Sequence, residues 1–235
     1  MKRELLARLQ GLREQGTPVA LVTRFADGAG SLVTEHAQEG DLSLGEPARG
    51  RVLEMLTADQ SGGIEDGLFV RSFQRPVRLI VVGAVHIAQA LVRIAAAAGF
   101  RCIVIDPRAA FANVDRFGET VLINQWPDRA LVELAPDART AIVTLTHDPK
   151  LDEPALRTAL SGDAFYVGAL GSRKTHAKRL ERLRTFGLTE AQLSRIRAPV
   201  GLPLGGRRPA EIAVSIMAEI IQCLYGRSAA RGSAG

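Results

Sequence analysis

An alternation of short apolar runs with helical segments, beginning at Val77, constrains the fold of this chain most strongly. Five runs are apolar on both faces and cover residues 79–82, 102–105, 121–123, 141–145 and 165–167. Helical spacing is found in residues 85–98 and in PDRALVEL and PALRTALS, two segments that each begin with proline, a favoured first helical residue. Strands that are apolar on both faces and alternate with helices form a parallel sheet covered on both sides. The pattern predicts an α/β fold, a Rossmann-type doubly wound parallel sheet that ends with a helix over 209–224.

The residues before this pattern are less regular and predict a small α+β amino-terminal domain. A helix over 2–15 ends at a glycine, a strand follows in PVALVTRF, and a helix near 49–56 precedes a short strand, LFVRSF. We therefore predict domains over 1–76 and 77–228. Residues 229–235 are small and are predicted to form a disordered tail.

The charge of the chain suggests a nucleic-acid partner, which its distribution does not favour. There are 30 Lys and Arg residues against 25 Asp and Glu residues, a net charge of +5. Residues 173–197 hold eight basic and two acidic residues but only one aromatic residue, Phe186. Binding of bases by stacking needs more aromatic side chains than that. We interpret Arg179, Arg182 and Arg184 as the solvated face of a helix, and expect no nucleic-acid partner.

The cysteines and the apolar stretches predict a cytoplasmic protein. Cys102 and Cys223 each lie in an apolar run, which is typical of buried free thiols in a reducing compartment. The longest apolar stretch, residues 79–100, contains polar side chains and is too polar to span a bilayer. The amphipathic amino terminus does not resemble a signal peptide. We expect a soluble protein with no membrane span.

The turn after the first strand of the sheet only partly matches a dinucleotide-binding motif. In a doubly wound sheet, ligands bind at the carboxyl ends of the strands, where the strand order reverses. The segment GAVHIA has the first glycine and the final small residue of G-x-G-x-x-A, but Val85 replaces the second glycine. We expect its β-branched side chain to crowd a pyrophosphate. The motif therefore weakens an NAD(P) interpretation, and a plain turn without ligand fits equally well.

The next strand ends deliver charged and polar side chains to the same edge. Asp106 follows the second strand at the position where an acid binds ribose hydroxyls, and Arg108 has the charge to meet a phosphate. After the fourth strand, His147 is a candidate proton carrier or ligand-orienting donor, and Asp148 a candidate partner for it. An ordinary turn with surface charges remains the alternative in both loops.

The turn after the fifth strand, GALGSRKTH, predicts a phosphate site. Ser172 is expected to cap the following helix, and Arg173 and Lys174 occupy its first turn, where the helix dipole disfavours cations. A bound anion removes this mismatch, because helix amino termini with basic side chains bind phosphate. A further glycine-rich loop at 201–209 is expected either to reach the same crevice or simply to close the domain.

These loops together favour a ligand that carries phosphate, and they contain no predicted catalytic residue or metal ligand. The candidate cofactor-binding residues are Gly83, His86, Asp106, Arg108, Thr146, His147, Asp148, Gly168, Gly171, Ser172, Arg173, Lys174, His176, Gly205 and Arg207.

Five segments in order across the second domain resemble the XdhC/CoxI family, the accessory proteins of molybdenum hydroxylases. They are VVGAVHIAQAL, VIDPRAAFA, VTLTHDPKLDEPAL, AFYVGALGSRKTHAKRLERL and APVGLPLGGRRPAEIAVSIMAEI. The resemblance implies a homodimeric chaperone that binds the molybdenum cofactor, a pyranopterin phosphate also called molybdopterin. It also implies support for sulfuration of the cofactor and its insertion into an apo molybdenum hydroxylase of the xanthine or carbon monoxide dehydrogenase type. A cysteine desulfurase is a further implied partner.

The chain departs from the family pattern in three places. Many members have glycine where this chain has Val85, and a small hydroxyl residue where it has Arg208. Residues 44–54 keep only a trace of a glycine-rich family segment and lack its cysteine. We therefore expect a reduced amino-terminal domain and a non-catalytic maturation factor, with an NAD(P)-dependent oxidoreductase that uses His147 as acid and base as the alternative.

Overall fold

The computed structural model describes residues 3–232, with side chains through Gly226. The chain forms two compact units that divide between Arg75 and Pro76. Within the described residues, no helix is both long enough and apolar enough to cross a membrane.

The first unit is an antiparallel sheet with one helix packed on each face. Its elements are α1 (Arg3–Glu14), β1 (Val19–Arg24), β2 (Gly30–Val33), β3 (Gln38–Gly40), α2 (Glu46–Thr57), β4 (Gly62–Ile64) and β5 (Leu68–Phe73), and the strand order is β3-β2-β1-β5-β4. Alternate residues of β1 face opposite sides of the sheet, as a strand requires. Ala20 and Val22 pack with Val52 of α2, whereas Val19 packs with Leu9 of α1. The predicted α+β character of this unit is confirmed.

The second unit is a six-stranded parallel sheet in the order β11-β10-β9-β6-β7-β8. The order reverses between β6 and β9, which gives the Rossmann arrangement and confirms the predicted fold. Its elements are β6 (Arg78–Val82), α3 (His86–Ala97), β7 (Arg101–Ile105), α4 (Val114–Phe117), β8 (Val121–Ile123), α5 (Pro127–Leu134), β9 (Thr140–Thr144), α6 (Pro149–Ser161), β10 (Tyr166–Ala169), α7 (Arg173–Thr185), α8 (Glu190–Leu193), β11 (Ile196–Arg197) and α9 (Pro209–Gly232).

The central strand β6 shows why its residues are apolar on both faces. Leu79 and Val81 pack with α3 and α9 on one side of the sheet, and Ile80 and Val82 pack with α5 and α6 on the other. All four side chains are completely buried. Each contributes about 1.5–3 kcal/mol of burial free energy, so this strand anchors the loops that follow it.

Three boundaries differ from the sequence-based expectations. Helix α6 begins at Pro149, capped by Asp148, so that Pro154 lies inside the helix and not at its start. Gly168 lies within β10 and not in the loop after it. Helix α9 continues past 224 to Gly232. The predicted tail over 229–235 thus overlaps the end of α9, and its last three residues lie outside the described residues.

The predicted burial of the two thiols is confirmed for Cys102 and only partly for Cys223. Cys102 is buried, and burial raises the pKa of its thiol to about 11. Cys223 is only partly buried, and neither cysteine forms a disulfide bond.

Candidate functional site

Gly83 and Thr146 bring two loops into contact where the strand order of the sheet reverses. Gly83 follows β6 and has φ of +108°, and a Cβ atom built on it would lie 2.5 Å from Cγ2 of Thr146. Only glycine accepts both this backbone conformation and this close approach. Val85, the next residue but one, caps α3 and packs against the apolar cluster that contains Ala84 and Ala88.

Asp106 ties the loop after β7 to the Gly83 turn. Its fully buried carboxylate accepts hydrogen bonds from the N–H of Ala84 (2.9 Å) and from Nε (2.9 Å) and Nη2 (2.8 Å) of Arg108. Burial alone would raise the pKa of Asp106, but the hydrogen bonds from Arg108 and Ala84 outweigh it and hold this pKa below its ordinary value. The Arg108 guanidinium lies 4.5 Å from the centre of the Phe111 ring. The acid thereby fixes a partly exposed arginine beside the turn.

The loop after β9 separates the histidine and the aspartate that the sequence placed side by side. His147 is exposed and has φ of +60°, a left-handed conformation that costs a non-glycine residue free energy. The Asp148 carboxylate instead accepts a hydrogen bond from the N–H of Lys150 (2.9 Å) at the start of α6. Within the described residues Asp148 forms no hydrogen bond with His147, because it is engaged as the helix cap.

The turn between β10 and α7 leaves two basic residues without acidic partners. Gly171 has φ of +139°, and the Ser172 hydroxyl accepts a hydrogen bond from the N–H of Thr175 (3.1 Å), which caps α7 as expected. Arg173 and Lys174 are exposed, and the first turn of α7 contains no acidic residue. Over the described residues neither side chain forms an ion pair. The positive end of the helix dipole and two cations thus lie together at this turn.

A buried arginine that sequence reasoning missed lies directly beneath this turn. We expected Arg179 on a solvated face, and this was wrong, since it is only 3% exposed. Its Nη2 donates a hydrogen bond to the carbonyl oxygen of Leu170 (2.8 Å) and lies 3.6 Å from the position of a Cβ on Gly171. Burial lowers the pKa of Arg179. Arg179 precedes the buried Leu183 by one helical turn, a spacing that marks the inner stripe of α7.

The partner of Arg179 is Asp152 of α6, which is also buried. Asp152 Oδ2 lies 3.8 Å from Arg179 Nη2, and its Oδ1 accepts a hydrogen bond from Oγ1 of Thr146 (2.6 Å). Burial raises the pKa of Asp152 above its ordinary value. Three buried atoms here have no hydrogen-bond partner, namely Oδ2 of Asp152, Nη1 of Arg179 and Nδ1 of His176. Burial, followed by the nearby Arg179 charge, lowers the pKa of His176.

The remaining candidate residues have separate surroundings. His86 is exposed at the first position of α3, and Gly205 has open space around it. The Arg207 N–H donates to Oε2 of Glu211 at 2.8 Å. Gly168 lies under the Tyr166 ring, where a Cβ atom would be 2.8 Å from a ring carbon, so packing within the sheet explains this glycine.

Comparisons with known proteins agree on the family of the second unit. Residues 79–220 match the family described as the XdhC Rossmann domain. The chain is 32% identical over 154 residues to the molybdenum cofactor insertion chaperone PaoD of Escherichia coli, covering 65% of this chain and 42% of that protein. It is 35% identical over 156 residues to a probable xanthine dehydrogenase subunit of Bacillus subtilis, covering 66% of this chain and 45% of that protein.

A solved structure supports the fold over nearly the whole chain. A xanthine dehydrogenase from Bacillus halodurans superposes with a TM-score of 0.77 and 24% identity, covering 96% of this chain and 65% of that one. The chain spans less than half the length of the two curated relatives named above.

Proposed function

The chain belongs to the XdhC Rossmann domain family, and from this premise we propose that it binds the molybdenum cofactor and delivers it to a molybdenum hydroxylase of the xanthine dehydrogenase type. The names of the Escherichia coli and Bacillus subtilis relatives support this role. The proposal includes holding the cofactor during its sulfuration, with a cysteine desulfurase as the sulfur donor, and action as a homodimer. In this role the protein is a chaperone and not an enzyme.

The observation that carries this proposal is the unpaired positive charge at the start of α7. The cofactor is a pyranopterin with a phosphate, and helix amino termini with basic side chains bind phosphate. The N–H groups of Arg173 and Lys174 have no acceptor within the described residues, and Gly171 contributes no side chain that would cover them. Arg179 lies beneath the same turn but is paired with Asp152, so the exposed charge is that of Arg173 and Lys174. These residues fit a phosphate group.

The bound cofactor supplies the metal chemistry, whereas this chain supplies binding and orientation. We assign the phosphate to Ser172, Arg173 and Lys174, with Arg108 on the loop after β7 as a further basic group at the same end of the sheet. Asp106 acts through Arg108 and the Gly83 turn, because its own oxygens are already occupied. The exposed His86, His147 and partly buried His176 remain proposed contacts with the ring system.

The alternative of an NAD(P)-dependent oxidoreductase gains no support. Both carboxylate oxygens of Asp106 bind Ala84 and Arg108 and are enclosed, so they are not free to receive ribose hydroxyls. Val85 occupies the place of the second glycine of the dinucleotide motif.

The direct test replaces Arg173 and Lys174 together by alanine. The probe is the molybdenum cofactor released from purified xanthine dehydrogenase, and its binding is measured by pterin fluorescence of the protein fraction after oxidation. Loss of the two charge-assisted contacts is expected to weaken binding by about 2–4 kcal/mol, or roughly 30- to 1,000-fold. Transfer of cofactor from the variant to the apo-enzyme should fall in parallel.

The matched control removes two other exposed cations of the same unit. Arg93 lies two turns into α3, and Arg101 lies at the start of β7, at the opposite edge of the sheet. The Arg93→Ala, Arg101→Ala variant should bind the cofactor like the wild type. Equal binding by the α7 variant and the wild type would reject the phosphate site. A wild-type protein that binds no cofactor, and does not raise hydroxylase activity on co-expression, would reject the proposed function as a whole.

A further inference from the structure

Asp152 and Arg179 connect the loop after β9 with the loop after β10. Asp152 accepts a hydrogen bond from the Thr146 hydroxyl in the loop after β9. Arg179 donates a hydrogen bond to the carbonyl oxygen of Leu170 in the loop after β10. The two side chains lie beside each other at 3.8 Å between Oδ2 and Nη2. A continuous chain of contacts therefore runs from one loop to the other beneath the surface.

A third loop joins the same chain of contacts. Cγ2 of Thr146 lies 2.5 Å from the position of a Cβ on Gly83, so the loop after β9 packs closely against the glycine turn. On the other side, Thr175 lies 3.3 Å from the position of a Cβ on Gly171, and Arg179 lies behind it. Contacts therefore link three strand-end loops to one buried pair.

The pair is poorly suited to a role in stability alone. Asp152 and Arg179 are 1% and 3% exposed, yet Oδ2 of Asp152 and Nη1 of Arg179 have no hydrogen-bond partner. Buried ion pairs with unsatisfied atoms are often no more stabilising than apolar residues of similar volume. A neighbouring pair on the same two helices, Glu153 with Arg182, has good geometry, with Nε donating to Oε1 at 2.6 Å, and Arg182 is partly exposed. The more specific contribution of the buried pair is therefore its hydrogen bonds to the two loops.

We propose that Asp152 and Arg179 are positioning residues that hold the loops at 145–148 and 170–172 at a fixed separation and so determine how tightly the start of α7 binds a phosphate-bearing ligand. This inference rests on the proposed function for the nature of the ligand, but the coupling between the loops does not depend on it. Neither residue needs to touch the ligand. Each acts through a hydrogen bond to its own loop.

Hydrogen–deuterium exchange of the whole protein tests the coupling without any ligand. Asp152→Asn changes a residue bonded to the first loop, and Arg179→Gln changes one bonded to the second. If the pair couples the loops, each variant increases amide exchange in both loops, including the Leu170 N–H that donates to Thr144. Arg182→Gln is the matched control, and it should leave exchange in both loops unchanged.

Affinity for the molybdenum cofactor, measured as above, is the second readout. Because each single variant weakens one hydrogen bond that positions a loop, each should bind the cofactor about 2- to 10-fold more weakly. The double variant Asp152→Asn, Arg179→Gln leaves no unpaired buried charge and should keep the thermal stability of the fold. It should nevertheless show faster exchange in both loops and the weaker binding.

The outcomes separate this inference from the proposed function. Exchange that increases in only one loop per single variant, or a double variant with wild-type exchange and affinity, overturns the coupling. A wild-type protein that binds no cofactor but shows coupled exchange overturns the choice of ligand and leaves the coupling in place.

Discussion

Replacing Gly83 by alanine is expected to force apart the two loops at the reversal of the strand order. The added methyl carbon would lie 2.5 Å from Cγ2 of Thr146 and 3.2 Å from its backbone nitrogen. Both neighbours belong to a loop fixed by hydrogen bonds, because the Thr146 hydroxyl is bonded to the buried Asp152. The contact can therefore be relieved only by movement of the loop backbone.

Two free-energy terms add in this variant. A φ of +108° is unfavourable for alanine and costs about 1–3 kcal/mol. Overpacking of a filled site costs about another 1–3 kcal/mol. We therefore expect the free energy of unfolding of the second unit to fall by about 2–6 kcal/mol, and cofactor binding to weaken because Thr146 is displaced.

Gly99→Ala carries only the first of these two terms, so the difference between the two variants isolates the overpacking. Gly99 follows α3 with φ of +82°, and no heavy atom lies within 4 Å of its Cβ position, so only the backbone cost applies. Urea denaturation of both variants, followed by circular dichroism, should show that Gly83→Ala is less stable than Gly99→Ala by at least about 1 kcal/mol. Equal losses in the two variants would refute the close approach of the loops.

Two further predictions concern buried polar groups. Asp106→Asn should lower the free energy of unfolding at pH 7 by about 1.5–3 kcal/mol, because Arg108 loses a charged acceptor. Since the pKa of Asp106 is depressed by folding, the wild type should lose this advantage as pH falls below the ordinary aspartate value of 3.8, as urea titrations at several pH values would show. Tyr166→Phe should cost about 1–3 kcal/mol, because the buried hydroxyl donates to Oε2 of Glu219 at 2.5 Å. Thermal unfolding that is unchanged in this variant would contradict that role.

The sequence predicted the strands of the second unit because burial on both faces leaves a local signal. The predicted runs at 79–82 and 121–123 match β6 and β8 within one residue. The elements left unassigned there, α4, α8 and β11, have four residues or fewer, too few to show a period.

In the first unit, β2 to β4 lie in glycine-rich segments whose strand character comes from pairing with partners. Ser31, for example, pairs with Gly40, and neither residue favours a strand by itself. Such pairing is set by tertiary contacts, which no local pattern in this part of the chain discloses.

The loops of the candidate site were predictable for the same reason as the strands, whereas the buried pair was not. A glycine directly after an apolar run marks a strand end, and this identified Gly83. The same reasoning failed at Gly168, which lies within β10. Burial of Arg179 depends on Asp152, a residue on another helix. The composition of the run RLERLR, which is rich in charge, predicts exposure and gives no sign of this buried partner. The sequence did carry a signal, which was the position of each charge on the apolar stripe of its helix. Asp152 precedes the buried Ala155 and Leu156 by three and four residues and so lies on the same helix face.

Pairing within the basic segment reduces the positive charge that it offers to a ligand. Arg179 lies beside Asp152, Arg182 binds Glu153 and Arg184 binds Glu190. Arg195 donates to two carbonyl oxygens. Within residues 173–197, the cations without an ion pair or hydrogen bond through their side chains are Arg173, Lys174, Lys178 and Arg197. Three of these lie in the first half of α7, so the uncompensated charge is concentrated next to one glycine turn. A duplex contacts several phosphates over tens of ångströms, whereas this arrangement suits a single phosphate group.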